Sequence, residues 1–171
     1  MVCGKSKFLV RYENYLDDYK KSYRVKVSNV FKNNLFIEKS LPKKEIPSVL
    51  SAATIASALF IDKPEMRPNS ANKFFDALAS GTPLMINYGG WMHELIEALD
   101  CGLVMWQKPI EQVAWELDQK MLDEQWLKQA SQAAMKLAED CFDRDILANK
   151  LIAVLQATVE GKPQRAAKKA P

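Results

Sequence analysis

The chain has 171 residues, of which 48% are hydrophobic and 26% charged, enough apolar material for one domain with its own core. The formal net charge is +3, but the last eleven residues, GKPQRAAKKAP, hold Lys162, Arg165, Lys168 and Lys169 and no acid. Without these four cations, 20 of the 24 basic residues remain against 21 acidic ones, so the body lacks the basic excess of a nucleic-acid-binding domain. We predict a disordered basic tail over 161–171, with contact to an anionic membrane surface or to a partner as the alternative.

The cysteine and histidine content argues against a zinc or disulfide framework. Cys3, Cys101 and Cys141 lie far apart and form no C-x-x-C pair, and His93 is the single histidine. No apolar run reaches the length of about 18 residues that a spanning helix needs, and charge begins at Lys5, unlike in a secretory signal. We therefore expect a reduced, cytoplasmic compartment, with a peripheral position on the inner face of the membrane as an option.

The first third of the chain predicts two helices and two strands. Tyrosines and other apolar residues at spacings of three and four predict an amphipathic helix with an aromatic stripe over Lys7–Lys26. A short strand follows at 34–38, and then a helix over 43–53 that tolerates Pro47 only in its first turn. The continuous apolar run TIASALFI at 54–61 predicts a strand that is buried on both faces.

Strands and helices alternate through the rest of the chain. The predicted elements are a helix from Ser70, a turn at 81–83, a strand at 84–87, a helix at 91–99, a strand at 103–106, and helices over 108–122, 123–140 and 142–159. This alternation indicates an α/β fold with a Rossmann-like parallel sheet flanked by helices. No internal repeat or linker interrupts it, so we predict one domain over 1–160. Ligands of such sheets bind at the carboxyl ends of the strands, where the loops after 54–61 and 84–87 lie.

The segment Ser70–Gly90, SANKFFDALASGTPLMINYGG, is the most informative part of the chain. The free N–H groups and the positive dipole end of its helix make an anion site, with Ser70 or Asn72 as cap and Lys73 as a nearby cation. Asp76 lies one turn further along the same face, where a carboxylate can accept hydrogen bonds from the two hydroxyls of a ribose. The same spacing also fits a capped helix with a surface Lys73–Asp76 ion pair, and the residues alone leave both interpretations open.

This segment resembles the nucleotide-sugar-binding segment of the retaining family-4 glycosyltransferases, which have the GT-B architecture of two Rossmann-like halves. Members that act in bacterial capsule, O-antigen and exopolysaccharide synthesis are the most similar. The matching residues are Ser70, Asn72-Lys73-Phe74-Phe75-Asp76, Ala79, Gly81, Pro83 and Gly89-Gly90, and outside the segment Asn34-Leu35-Phe36, Glu45-Ile46-Pro47, Leu50, Glu94-Leu95-Ile96, Cys101-Gly102-Leu103-Val104 and Phe142-Asp143-Arg144. The resemblance spans residues 1–157 and is to the C-terminal, donor-binding half of the enzyme.

The resemblance implies a site. Its nucleotide-sugar-binding residues are Ser70, Ala71, Asn72, Lys73, Asp76, Gly89 and Gly90. Asp76 takes the place of the second acid of the family's E-x7-E motif, which holds the donor ribose, and the helix start meets the diphosphate and the sugar. Pro68 stands eight residues before Asp76, where the family has the first acid, so the nearby Glu65 is the candidate sugar contact. No catalytic residue is assigned. We expect no metal and no cofactor apart from the nucleotide-sugar donor substrate.

These features lead us to expect a glycosyltransferase of hexosyltransferase type that acts in bacterial surface polysaccharide synthesis. The family's enzymes have two domains, and here the acceptor-binding half and the first strand of the donor half have no counterpart. Met1–Lys5 resembles the end of the second strand of that half. The chain is therefore expected to be a fragment that needs an N-terminal acceptor-binding domain as partner and is inactive alone. The alternatives are half of a nucleotide-sugar epimerase, and a non-catalytic domain that binds a partner chain, which Pro68 favours.

Overall fold

The structure is a computed structural model that describes residues 8–11, 35–38, 41–61, 63–66 and 68–161. The described residues belong to two compact units, divided after Ile46, and each unit is described by itself. The predicted helix beyond Arg11, the match at Met1–Lys5 and the charged part of the predicted tail lie outside the described residues. The extent of the domain predicted over 1–160 stays a prediction.

The first unit contains two parallel strands, β1 (Phe8–Arg11) and β2 (Leu35–Glu38). Phe8 pairs with Leu35 and Arg11 pairs with Glu38. β2 confirms the strand predicted at 34–38. β1 shows that the helix predicted from Lys7 is wrong over its first residues. Three consecutive apolar residues fit a strand as well as a helix, and pairing with β2 decides in favour of the strand.

The second unit contains a three-stranded parallel sheet in the order β3-β4-β5, and helices surround it. The strands are β3 (Ala56–Ala58), β4 (Leu84–Ile86) and β5 (Gly102–Val104), with Ala56 opposite Leu84 and Leu84 opposite Gly102. The helices are α1 (Ile46–Ser51), which begins at the last residue of the first unit, α2 (Asn72–Ala79), α3 (Trp91–Leu99), α4 (Ile110–Leu122), α5 (Glu124–Phe142) and α6 (Arg144–Val159). A short 3₁₀ turn at Pro64–Met66 lies in this unit, and another at Lys43–Glu45 lies in the first unit. The predicted α/β class with a parallel sheet is confirmed, and the arrangement is compatible with a Rossmann-like fold. No helix within the described ranges is both long enough and apolar enough to cross a membrane.

The strand predicted at 54–61 is shorter than expected and is not buried on both faces. Ala58 is buried, but Ser57 is exposed, and Leu59 and Ile61 leave 52% and 65% of their surface accessible. Among the described strands β3 pairs only with β4, and its ladder ends at Ala58, so the apolar residues beyond it lack the cover of a second neighbour.

The core lies between the sheet and helices α2, α3 and α5. Its largest fully buried side chains include Phe74, Leu78, Leu84, Ile86, Met92 and Ile96. At the end of α2, Gly81 has a φ of +64°, and the Thr82 N–H donates to the Ala77 carbonyl at 2.9 Å, the pattern of a Schellman motif. This turn directs the chain from α2 into β4, so α2 and the loop that precedes it are held against the sheet.

Candidate functional site

The loops after β3 and β4 begin at one edge of the sheet, because the carboxyl ends of parallel strands lie side by side. The side chain of Asn87, the first residue after β4, ties this edge together. Its Oδ1 accepts a hydrogen bond from the Phe60 N–H at 2.9 Å, and its Nδ2 donates to the Phe60 carbonyl at 2.8 Å. The Phe60 ring also stands edge-on to the ring of Tyr88, with centroids 5.1 Å apart. These contacts hold the beginnings of both loops in place.

Helix α2 begins at this edge, and no side chain among the described residues caps it. Its N-cap position is occupied by Ala71, which is buried and has no side-chain oxygen. Ser70 and Asn72 are exposed, and neither caps the helix, contrary to the expectation from the sequence. The reason is positional, since the helix begins at Asn72 and leaves Ser70 one residue too early to reach the first turn. Among the described residues, the N–H groups of Asn72 and Lys73 therefore have no intrahelical or capping partner, whereas the Phe74 N–H donates to the Ala71 carbonyl at 2.9 Å.

Helix α3 begins in the same way after the glycine pair. Gly90 is its N-cap, with φ 109° and ψ −166°, a conformation essentially restricted to glycine, and none of the side chains that the structure describes caps the helix. Gly89 is buried against Trp106, and a Cβ at Gly89 would lie 2.9 Å from Cε2 and Nε1 of the indole. The pair thus lets the loop pass close to Trp106 and leaves a second uncapped helix start.

An aromatic cluster holds the two helix starts side by side. Trp91, the first residue of α3, lies edge-on to Phe74 of α2 at 5.6 Å between ring centroids and 6.2 Å from Phe75. Phe142, at the end of α5, packs on Phe75 at 5.1 Å and on Trp91 at 6.0 Å. Since Phe74 and Phe75 belong to the first turn of α2, both uncapped starts are neighbours at one sheet edge. Two positive dipole ends with free N–H groups form a site suited to an anion.

Lys73 and Asp76 lie on α2 close to this edge, and both are half-buried. Within the part of the chain that the structure describes, neither side chain has a hydrogen-bond or ion-pair partner. Only the main-chain carbonyl of Asp76 is engaged, as it accepts a hydrogen bond from Ser80 Oγ at 2.8 Å. The surface Lys73–Asp76 ion pair, the second interpretation of this spacing, is therefore not formed. The carboxylate of Asp76 is free to accept hydrogen bonds from a ligand.

The loop between β3 and α2 holds the remaining candidates. Glu65 lies in the 3₁₀ turn Pro64–Met66 and is exposed, and Pro68 is exposed in the turn that follows. The Nδ2 atom of Asn69 is buried and has no hydrogen-bond partner within the described ranges, a feature that sequence reasoning missed. Asn87 was missed as well. Its position at the carboxyl end of the strand predicted at 84–87, at the edge where ligands bind, was the available signal.

Two residues near the site have structural roles. Burial raises the pKa of Tyr88 to about 12, so its phenol stays protonated, and its hydroxyl donates to Met92 Sδ at 3.3 Å. His93 Nε2 lies 2.9 Å from Glu97 Oε2, one turn along α3. Among the described residues, no group of three His, Cys, Asp or Glu side chains is placed to hold a metal ion.

A scan against protein-family models and a search of curated proteins found no match for this chain.

Proposed function

We propose that this chain is the donor-binding domain of a glycosyltransferase and binds a nucleotide-sugar at the carboxyl edge of the β3-β4-β5 sheet. The observation that carries the proposal is the pair of adjacent, uncapped helix starts at Asn72 and Trp91. A diphosphate has two linked anionic groups, so one ligand can engage both helix ends. The glycines at 89 and 90 place no side chain of their own at the start of α3.

Asp76 and Lys73 give this site its second element. The Asp76 carboxylate has no partner among the described residues and lies one helical turn from the start of α2. It is suited to accept hydrogen bonds from the ribose hydroxyls of a nucleotide whose diphosphate rests on the helix start. Lys73 adds positive charge next to the phosphates, and Ser70, Ala71 and Asn72 line the approach to them. Glu65 is the candidate contact to the sugar.

In the complete enzyme this half would act with an acceptor-binding domain, in the manner of GT-B glycosyltransferases of bacterial surface polysaccharide synthesis. The helix starts then stabilise the negative charge that develops on the departing diphosphate as the sugar is transferred with retention. The chain alone is expected to bind the donor and to transfer nothing.

One observation favours a second candidate, a non-catalytic domain that binds a partner chain. Pro68 occupies the position eight residues before Asp76 and offers no acid to the donor sugar. Such a domain would retain the fold and would have lost the binding of nucleotides.

Titration of the full chain with a panel of nucleoside diphosphates and nucleotide-sugars, followed by calorimetry and by tryptophan fluorescence, tests the proposal. We expect saturable binding that requires the diphosphate, with the free nucleoside much weaker. Asp76→Asn is expected to weaken binding about 10-fold to 100-fold, because a hydrogen bond to a charged acceptor contributes about 1.5–3 kcal/mol. The matched control is Asp118→Asn, an exposed acid on α4, which should bind like the unmodified chain.

The two candidates give different results. An absence of saturable binding across the whole panel contradicts the donor-domain proposal and favours the non-catalytic domain. Binding that Asp76→Asn leaves unchanged contradicts the role assigned to that carboxylate.

A further inference from the structure

Helix α4 presents a row of alternating acidic and apolar side chains to solvent. Glu111, Trp115, Asp118 and Leu122 follow one another at spacings of four, three and four residues, so they lie along one face of the helix. All four are exposed, Trp115 to 65% and Leu122 to 77%. We call these four residues the α4 row. The buried and half-buried residues of the helix lie on its other side, namely Val113, Glu116, Leu117, Lys120 and Met121.

The two apolar members of the α4 row are suited to anchor an interface. A tryptophan buries about 150–250 Å² when a partner covers it, and tryptophan is enriched among the residues that dominate binding energy. Because the opposite side of α4 makes the contacts with the core, Trp115 and Leu122 are left available to a partner. A cleft of about 410 Å³ begins beside Leu122 and can receive a side chain of that partner. It is lined by Gln119, Lys120, Leu122, Asp123 and Trp126.

The charge around the α4 row is negative. Residues 110–124 contain five acids and one lysine. Within the part of the chain that the structure describes, Glu111 and Asp118 form no ion pair, so their negative charge is not neutralised. The two lysines next to the row are engaged by other acids, Lys108 by Glu116 and Lys120 by Asp100, each at 2.8 Å between Nζ and a carboxylate oxygen.

This charge limits what can cover the row. An anionic lipid surface or a nucleic acid would be repelled by it. A second copy docked about a two-fold axis would bring the same acids face to face, because both copies then use the same surface. The chain's own basic residues at 162–171 include no large apolar side chain that could cover Trp115. What fits is a segment of another protein that combines basic and apolar side chains.

We propose that the α4 row binds a basic amphipathic helix of a partner protein. Apolar side chains of that helix pack on Trp115 and Leu122 and enter the cleft, and its lysines or arginines pair with Glu111 and Asp118. Helices are recognised through side chains three and four residues apart, which is also the spacing of the row. The row is about 16 Å long, so about three turns of the partner helix cover it. This proposal does not depend on the nucleotide-sugar site.

Titration of the full chain into a fluorescently labelled peptide, followed by anisotropy, tests the proposal. The probe is a peptide of about 14 residues, built from leucine and lysine at helical spacing. Two matched peptides separate the contributions, one with every lysine replaced by glutamate and one with every leucine replaced by serine. We expect saturable binding of the leucine–lysine peptide, binding of the other two that is about 10-fold or more weaker, and weaker binding as the salt concentration is raised.

Variants of the row should weaken binding of the leucine–lysine peptide. Trp115→Ser combined with Leu122→Ser removes the apolar anchors and should weaken it by about 10-fold or more. Glu111→Gln combined with Asp118→Asn should weaken it as well and should reduce its dependence on salt. The controls replace exposed side chains elsewhere and should leave binding unchanged, namely Leu151→Ser with Leu155→Ser, and Glu139→Gln with Asp145→Asn.

Melting temperatures of all variants should match that of the unmodified chain, since the replaced side chains are exposed. An absence of binding to the leucine–lysine peptide, or equal binding to the peptide with glutamate, would overturn the proposal. So would control variants that weaken binding as much as the row variants do, because the peptide would then be attracted to the surface in general. A dimer, seen by sedimentation equilibrium and abolished by the Trp115 and Leu122 replacements, would also overturn it, because a second copy would then cover the row.

Discussion

Replacing Asn87 with alanine removes the amide that joins the carboxyl ends of β3 and β4. The side chain makes two hydrogen bonds to the Phe60 main chain, at 2.9 and 2.8 Å, between residues 27 positions apart. Each such bond contributes about 0.5–1.5 kcal/mol, so Asn87→Ala is expected to lower the free energy of unfolding by about 2 kcal/mol. In a chain of this size that corresponds to a fall in Tm of about 4–8 °C.

Asn87→Asp keeps the acceptor of one of the two hydrogen bonds and removes the donor of the other, so it tests them separately. The introduced carboxylate still accepts from the Phe60 N–H, but it faces the Phe60 carbonyl where the amide donated. Its pKa is therefore expected to be higher in the folded state than in the unfolded chain. Above the folded pKa, Asn87→Asp should show its largest loss in free energy of unfolding relative to the unmodified protein. This loss should become smaller as the pH falls toward the unfolded pKa of about 3.9, because the protonated acid again donates to the Phe60 carbonyl.

Urea unfolding at pH 7 and at pH 4.5, followed by circular dichroism, measures both variants against the unmodified chain. The bridging role is refuted if Asn87→Ala unfolds within about 0.5 kcal/mol of the unmodified protein, the range typical of surface substitutions. A penalty for Asn87→Asp that does not decrease at the lower pH would show that the amide does not donate to Phe60.

Three further predictions concern the core of the same unit. Thr82 is 1% exposed, and its hydroxyl donates to the Leu50 carbonyl at 2.8 Å, so Thr82→Val should cost about 1–3 kcal/mol in urea unfolding, whereas Thr82→Ser should retain most of the bond. Burial raises the pKa of Cys101 to about 11. Between the unfolded pKa of about 8.5 and this value the thiol loses its proton only in the unfolded chain, so the free energy of unfolding should fall as the pH rises. In a pH series of urea unfolding midpoints, Cys101→Ala should show a smaller fall over this window. Gly81→Ala should lower the Tm through about 1–2 kcal/mol of left-handed strain at φ +64° and through the contact of its Cβ with Met135 Cγ and Sδ at 2.9 Å. Gly161→Ala has the same strain, at φ +65°, but its Cβ meets nothing within 4 Å, so it should lower the Tm less; equal losses would contradict the assigned role of the Gly81 turn.

Local patterns identified the elements whose signals are complete within a few residues. Helix α3 was predicted with its observed bounds, because Gly90 precedes its apolar periodicity and Asp100, in the left-handed conformation, follows it. The strand at 54–61 was predicted too long, because an apolar run shows where a strand can form and not where its pairing ends. The β1 strand was mistaken for a helix for a related reason, since only its partner β2 distinguishes the two.

For the candidate site as well, local sequence determined some features and tertiary packing determined the others. The sequence by itself determined which residue types follow the strands: an acid and a lysine on α2, a glycine pair before α3, and a proline where the resembling family has an acid. Only the tertiary structure decided that both helix starts are uncapped and adjacent, and that the Asp76 carboxylate is unpaired among the described residues. The physical reason is that a helix start is set to within one residue by packing, and that packing joins side chains distant in the chain, as Phe74 joins Trp91 and Phe142. Periodicity reports on neighbours three and four residues apart and contains no information about such contacts.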